Sequence, residues 1–288
     1  MKTGVIGLGA MGENMARNLA RANHLETVYN RTLHTAESIA KECECSVSSS
    51  PAELAKLCEL IIICVSRDED VLEMVNAIKP EINRDAIVVD TSTVSSETAK
   101  KAAALLNEVN AHFLDCPVSG GVEGAKNGTL AVMVGGSEDI LEKARPGLDA
   151  IAGNIMYIGP SGSGQATKAV NQIMAAGINQ AVTEALAFGN AMGLDMDKVV
   201  NIVSTGAAAN WFLDHRGKTM LAGTYEPGFK LRLHHKDLSI CQSMTKSISG
   251  NALPIIEMTL LHYQRLMDEG YGDEDISALF RLKQKNLS

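Results

Sequence analysis

Short apolar runs recur through the first 160 residues, at Thr3–Gly7, Leu25–Tyr29, Leu60–Val65, Ala86–Asp90, His112–Asp115, Leu130–Val134 and Ile155–Ile158. Their length and turn-residue flanks predict buried strands. Most are separated by segments patterned as helices. Met11–Ala22 is one; Ser95–Val109 is another, rich in Ala, Leu and Lys, with Ser95 or Ser96 able to cap it. Strands that alternate with helices imply right-handed crossovers, and so a doubly wound parallel sheet covered on both faces.

After Ile158 the pattern changes. Gly159-Pro160-Ser161-Gly162-Ser163-Gly164 reads as a turn-rich hinge, and everything beyond it reads as helix. The first of these helices, Gln165 to about Met192, has close to 28 residues, or about 42 Å of length. A helix that long is expected to carry the chain from one domain into the next and to wall the junction between them. Helical patterns follow at Met196–Thr205, Trp211–Ala222, Lys236–Ser249 and Leu253–Glu269, with a short one after Asp273. The expected organisation is an α/β domain over residues 1–162 and an all-α domain over residues 163–288, with no internal repeat.

Composition removes several classes. A formal net charge of −8 and a pI near 5.4 supply no basic field for nucleic acid, so any phosphate must be bound locally. The Ala-rich stretch Ala169–Ala191 is broken by Asn171, Gln172, Asn179, Gln180 and Glu184, so no membrane span is expected. With no secretory cleavage pattern at the start, a cytoplasmic protein is expected. The six cysteines, at 43, 45, 58, 64, 116 and 241, form no Cys-x-x-Cys pair and read as reduced structural thiols. His234 and His235 are adjacent, about 100° apart on a helix, and no His-Glu-x-x-His occurs; no metal is expected.

Candidate chemistry begins at Gly7-Leu8-Gly9-Ala10-Met11-Gly12. A bare GxGxxG is weak evidence, but this one follows an apolar strand and opens a helix. In that context Gly7 makes the tight turn, Gly9 lets the backbone approach a pyrophosphate, and Gly12 lets helix and strand pack closely. The helix start then offers amides and a dipole to the phosphates, as in a Rossmann dinucleotide domain. The second strand ends in Tyr29-Asn30-Arg31-Thr32, where NAD-selective sites place an acid on the ribose. Asn30 removes the repulsion of a 2′-phosphate, Arg31 offers a planar fork and Thr32 a hydroxyl, so NADP is favoured with NAD still open. The other reading of Arg31 is a solvated loop residue. Val65 and Ser66, ending the third strand, join the cofactor set.

Lys168, Asn171 and Gln172 lie at i, i+3 and i+4, so an ammonium and two amides share one face of the long helix. Such triplets are commonly solvent stripes; here Gly162-x-Gly164 precedes the helix, and the expected domain junction is where ligands collect. Asp115-Cys116-Pro117-Val118-Ser119-Gly120-Gly121 follows the carboxyl end of a strand, and Ser119 with the glycine amides of Gly120 and Gly121 suits a carboxylate. Thr91-Ser92-Thr93 ends the preceding strand in the same way. Each alone also fits ordinary turn chemistry.

Together these motifs resemble the β-hydroxyacid dehydrogenases, the family of 3-hydroxyisobutyrate dehydrogenase, tartronate semialdehyde reductase and glyoxylate/succinic semialdehyde reductases. The resemblance spans nearly the whole chain and also includes Asp90-x-Ser92-Thr93 and Phe229-x-Leu231-x-Leu233-x-x-Lys236-Asp237-Leu238. It implies that Lys168 is the catalytic lysine, Ser119–Gly121 the carboxylate-binding turn, Thr93 and Lys236 cofactor-side residues, and Asn171 a substrate-orienting amide. Many members carry a second Asn where this chain has Gln172, whose longer arm is expected to reshape the pocket. The implied partners are a small carboxylate-bearing substrate and further copies of the chain, as a homodimer or homotetramer.

In that chemistry Lys168 exchanges the hydroxyl proton as hydride moves, which requires an amine made more acidic than free lysine by desolvation or by a cation such as Lys236. An NAD-dependent 3-hydroxyisobutyrate dehydrogenase is the alternative within the family; a non-catalytic dinucleotide-binding scaffold is the alternative outside it. Short-chain reductases are excluded because no tyrosine is followed by Lys four positions later. The C-terminal part is short for a 6-phosphogluconate dehydrogenase, and Lys168 argues against an imine reductase.

Overall fold

A computed structural model of the chain describes residues 1–287. It divides into two compact units, Met1–Lys168 and the remainder from Ala169 onward.

In the first unit the elements alternate as β1 (Thr3–Ile6), α1 (Gly12–Arg21), β2 (Leu25–Tyr29), α2 (Leu33–Cys43), β3 (Ser46–Val47), α3 (Pro51–Leu57), β4 (Leu60–Ile63) and α4 (Asp68–Ile78). Then come β5 (Ile87–Asp90), α5 (Ser96–Asn107), β6 (His112–Asp115), β7 (Val118–Ser119), α6 (Gly121–Asn127), β8 (Leu130–Gly135), α7 (Glu138–Leu148) and β9 (Ala152–Gly159). The strand order begins 3-2-1-4-5-6, all parallel, the doubly wound arrangement with its switch point between β1 and β4. Past β6 the sheet becomes mixed, because β8 runs antiparallel to both β6 and β7 and β9 pairs with β8. The two-residue strands β3 and β7 are too short for any periodicity to announce; each exists by pairing with a longer neighbour.

β4 shows why the central strands read as unbroken apolar runs. Leu60 and Ile62 enter the core on one face of the sheet with Met15, Leu19 and Val28; Ile61 and Ile63 enter the other with Leu54, Val71 and Val75. A strand buried on both faces has no polar side to alternate with. At the start of α5, the Ser95 hydroxyl accepts from the Thr98 amide at 3.1 Å, the cap its sequence predicts.

α8 (Ser163–Ala191) begins in the first unit and runs into the second, whose further helices are α9 (Met196–Val203), α10 (Trp211–Leu221), α11 (Leu231–Ser249), α12 (Pro254–Asp268), a 3₁₀ turn at Ile276–Ala278 and α13 (Leu279–Lys285). Its core gathers Phe212, Leu213, Met220, Leu231, Leu238, Tyr263, Leu266 and Phe280. α11 starts five residues earlier than its sequence pattern indicates. The Leu231 amide donates to the Glu274 carbonyl at 2.9 Å and that of Arg232 to Gly272 at 3.0 Å, so residues some forty positions away satisfy the helix start. Among the described residues no helix is long and apolar enough to cross a membrane.

Candidate functional site

The loop after β1 is shaped by what cannot stand in it. Gly7 holds φ +93°, where a side chain would meet the Cys64 carbonyl, and a Cβ on Gly12 would run into the Gly7 carbonyl. Gly9 differs: a Cβ there meets nothing within 4 Å, so the closeness this glycine permits is not to the protein itself. The Gly7 amide donates to Tyr29 O at 2.9 Å, and no side chain caps the first amides of α1. Tight turn, open approach and uncapped helix start, with Leu8, Ala10 and Met11 between the glycines, make a cradle that fits a pyrophosphate.

Asn30 works as a strap. Its Oδ1 accepts from the Leu8 amide at 3.0 Å and its Nδ2 donates to Thr32 O at 3.2 Å, tying the end of β2 to the glycine loop. Arg31 leaves that corner with its side chain two-thirds exposed and Nη1 3.6 Å from the buried Asp70 carboxylate, which Arg67 also reaches at 3.3 Å. Asp70 and Arg67 were not singled out in the sequence; only the proximity of β2 and α4 relates them to Arg31.

The carboxyl ends of β4, β5 and β6 are knitted together. The Val65 amide donates to Ser92 Oγ at 2.9 Å, and the Ser92 amide to Asp90 Oδ1 at 3.0 Å. Ser66 is exposed beside Val65, and Thr93 is half-buried beside Ser92. The Gln165 carboxamide spans the same loop, donating to Ser92 O at 2.8 Å and accepting from the Val94 amide at 3.1 Å. Asp115 takes the start of α8 directly: Oδ1 accepts from the Gly162 amide at 2.8 Å and Oδ2 from the Gln165 amide at 3.0 Å. A carboxylate at a helix N-terminus is favourably placed in the helix dipole. Asp90, opposite Asp115 in the β5–β6 register, lacks such donors at Oδ2, and burial pushes its carboxyl up to about 7. Gly164 proves to admit the backbone of this unit, since a Cβ there would collide with the carbonyls of Asp115 and Met133. Lys168 follows Gln165 by one helical turn and is buried.

Ser119 ends β7, paired with Ala131 of β8; Gly120 and Gly121 turn the chain into α6, and all three retain some exposure.

In the second unit Asn171, Gln172 and Lys236 are linked through Asp237, which the sequence motif contains without indicating a role. Asn171 Nδ2 donates to Gln172 Oε1 at 2.8 Å; Gln172 Nε2 donates to Asp237 Oδ2 at 2.6 Å; Lys236 Nζ lies 2.9 Å from Asp237 Oδ1. Gln172, expected to contact substrate, is 2% exposed with both ends of its amide engaged inside the unit.

A model of the NAD-binding domain of 6-phosphogluconate dehydrogenase matches residues 2–159, and one described as the NAD-binding domain of NADP-dependent 3-hydroxyisobutyrate dehydrogenase matches residues 162–283. The 2-hydroxy-3-oxopropionate reductase of Escherichia coli is 36% identical over 255 residues, 87% of this chain and 86% of that protein. The chain belongs to the β-hydroxyacid dehydrogenase family. Mouse mitochondrial 3-hydroxyisobutyrate dehydrogenase is 30% identical over 96% of this dehydrogenase and 85% of its own length. A solved 3-hydroxyisobutyrate dehydrogenase of Mycobacterium tuberculosis, described with L-serine, superposes with a TM-score of 0.88 at 28% identity, covering 98% of both chains.

As a member of that family the protein is an oxidoreductase that binds a nicotinamide dinucleotide. Several residues that organise this dehydrogenase went unassigned in its sequence: Asp70, Asp90, Asp115, Gln165 and Asp237. Asp90, Asp115 and Asp237 stand inside the sequence motifs without a role of their own, and except for Asp90, which binds the Ser92 amide two residues on, each works through a partner distant in the chain. None of the six cysteines is in a disulfide, and among the described residues no cluster of His, Cys, Asp and Glu is suited to a metal.

Proposed function

We propose that this dehydrogenase interconverts a small 3-hydroxy acid and its semialdehyde, or reduces glyoxylate, with NADP(H) as the hydride partner and Lys168 as general acid and base. When bound, the nicotinamide supplies or takes the hydride. In reduction the Lys168 ammonium gives its proton to the carbonyl oxygen as hydride reaches the carbon; in oxidation the neutral amine takes the hydroxyl proton. Ser119 with the Gly120 and Gly121 amides holds the substrate carboxylate, and the Asn171 amide orients the substrate. Thr93, Val65, Ser66 and Lys236 serve the cofactor.

The observation that carries this reading is the anchoring of the start of α8: Asp115 and Gln165 bind the first turn to the loops at the ends of β5 and β6, and Lys168 stands one turn further on. A general acid must be held in place before its proton is useful. NADP is preferred because the end of β2 presents Asn30 and Arg31 and no acid. For assembly, the exposed apolar positions Val170, Met174 and Phe188 of α8 suit a second copy of the chain.

The test is loss of reduced-nicotinamide absorbance with glyoxylate, succinic semialdehyde, tartronate semialdehyde and methylmalonate semialdehyde, and the reverse reaction with 3-hydroxyisobutyrate, using both cofactors. Lys168→Ala is expected to lower kcat by about 10²–10⁴-fold while cofactor affinity changes little. Normal turnover in that variant overturns the assignment, and cofactor binding without turnover of any of these substrates overturns the proposed substrate class.

A further inference from the structure

We infer that Gln172 is a positioning residue: with Asp237 it dictates which end of the Asn171 carboxamide is presented outward. This rests on the reading of Asn171 as the residue that touches substrate. A carboxamide can be placed with its oxygen and nitrogen exchanged, and what fixes the choice is the chemistry of its partners. Asp237, paired with Lys236 at 2.9 Å, has only acceptors to offer. Gln172 must therefore turn its NH₂ toward Asp237, 2.6 Å away, and its oxygen toward Asn171. Asn171 in turn must give an N–H to that oxygen at 2.8 Å, which directs its own oxygen away. One carboxylate thus sets the polarity of two amides in series.

The backbone of Gln172 is held as firmly. Its carbonyl can only accept, so His234 carries a proton on Nε2 and donates across 3.2 Å, while His234 Nδ1 lies 3.0 Å from the Tyr263 hydroxyl. Tyr263 itself accepts from Asn179 Nδ2 at 2.9 Å. Gln172, His234 and Asp237 are all nearly inaccessible to water, whereas Asn171 is half-buried, so the relay leads from the interior to the one member able to meet a ligand. The reach is specific to glutamine: an asparagine, one methylene shorter, falls about 1.5 Å short of Asp237. The consequence is an Asn171 whose oxygen faces outward as the acceptor, suited to a donor of the substrate other than the reacting hydroxyl, whose one proton goes to Lys168.

Three variants test it. Gln172→Asn and Asp237→Asn are each expected to lower kcat/KM for the carbonyl substrate by about 10-fold or more, with KM for NADPH within about 2-fold. The double variant should be no worse than the poorer single one, because both break the same chain. Gln172→Glu supplies the sharper readout. Protonated, the introduced acid copies glutamine, donating to Asp237 and accepting from Asn171; ionised, it faces Asp237 as a second carboxylate. The charged and titratable groups around it are Asp237, Lys236, His234 and Tyr263, with Lys168 one turn back on α8. Activity of Gln172→Glu should be near normal at low pH and fall as pH rises, a limb absent from the wild type, whereas a merely structural role gives a uniform loss. Additive single variants or a pH profile parallel to wild type overturn the proposal. Independently of turnover, the Asn171 side-chain amide protons should exchange slowly in the wild type and faster in Asp237→Asn. Unchanged exchange overturns the relay itself, while failure of Lys168→Ala to lose activity overturns only the catalytic reading beneath it.

Discussion

In the loop after β1 the working groups are backbone amides, and the side chains matter chiefly by being absent: a methyl on Gly12 would occupy the position of the Gly7 carbonyl. Between α8 and α11 the working groups are side chains, joined from Lys236 through Asp237 and Gln172 to Asn171 over contacts of 2.6–2.9 Å. The first arrangement is specified by steric exclusion. The second is specified by complementary donors and acceptors, and a single methylene or a single exchanged atom undoes it. The proposed ligand of the loop, a pyrophosphate, needs only N–H groups and space; an amide proposed to present one end and not the other needs partners to choose for it.

The largest expected effect tests the steric half of that contrast. Gly12→Ala should weaken cofactor binding by at least about 100-fold, or about 2.7 kcal/mol, because the Gly7 carbonyl must move and the first amides of α1 move with it. Gly9→Ala meets no protein atom, so its melting temperature should match wild type, yet its methyl enters the space the loop leaves for phosphate. Isothermal titration with NADPH beside thermal unfolding separates the two; equal cofactor affinity in Gly9→Ala and wild type would show that the pyrophosphate does not approach there.

A smaller effect is expected where backbone and side chain meet. Asp115 receives amides of Gly162 and Gln165 on its two oxygens, and Asp115→Asn keeps one acceptor while turning an NH₂ toward a donor. About 2 kcal/mol of stability should be lost, seen as a fall of roughly 4–8 °C in melting temperature. Because that contact anchors the helix of Lys168, kcat should fall as well. A variant that loses stability but keeps kcat would show that the first turn of α8 holds itself without Asp115.

The contrast also explains what could be read in advance. Steric and periodic constraints are local: β4 is a four-residue apolar run, the glycine spacing sits in one hexapeptide, and the face of α8 bearing Lys168 follows from i, i+3, i+4 spacing. Donor–acceptor constraints join distant positions. Asp115 and Gln165 are 50 residues apart, Gln172 and Asp237 are 65, and nothing near Asp237 announces that its partner is an amide. β3 and β7, two residues each, were invisible for the same reason, as was the first turn of α11, capped by carbonyls near residue 273. Gln172 could be seen to depart from the family pattern, but its inward direction could not.

The corner at the end of β2 puts the contrast to its finest test, because there the backbone-built unit relies on side chains. Asn30 is occupied in strapping Leu8, which leaves the proposed choice of NADP to Arg31. The Arg31 guanidinium touches Asp70 at 3.6 Å with one nitrogen and is otherwise largely exposed, and a fork of five donors held on one side retains others for a phosphate. Arg31→Ala should raise KM for NADPH about 10-fold and leave that for NADH nearly unchanged, since a charge-assisted pair with the 2′-phosphate is the proposed contact removed. Arg67 reaches the same Asp70 at 3.3 Å from the start of α4, so it shares that carboxylate with Arg31 and draws it away from a full pairing. Arg67→Ala lets Asp70 hold Arg31 more tightly and should raise KM for NADPH only about 3-fold, the smallest change expected here. Equal responses of NADPH and NADH to Arg31→Ala would make Arg31 a solvated loop residue, and the proposed preference for NADP would then have no side chain behind it.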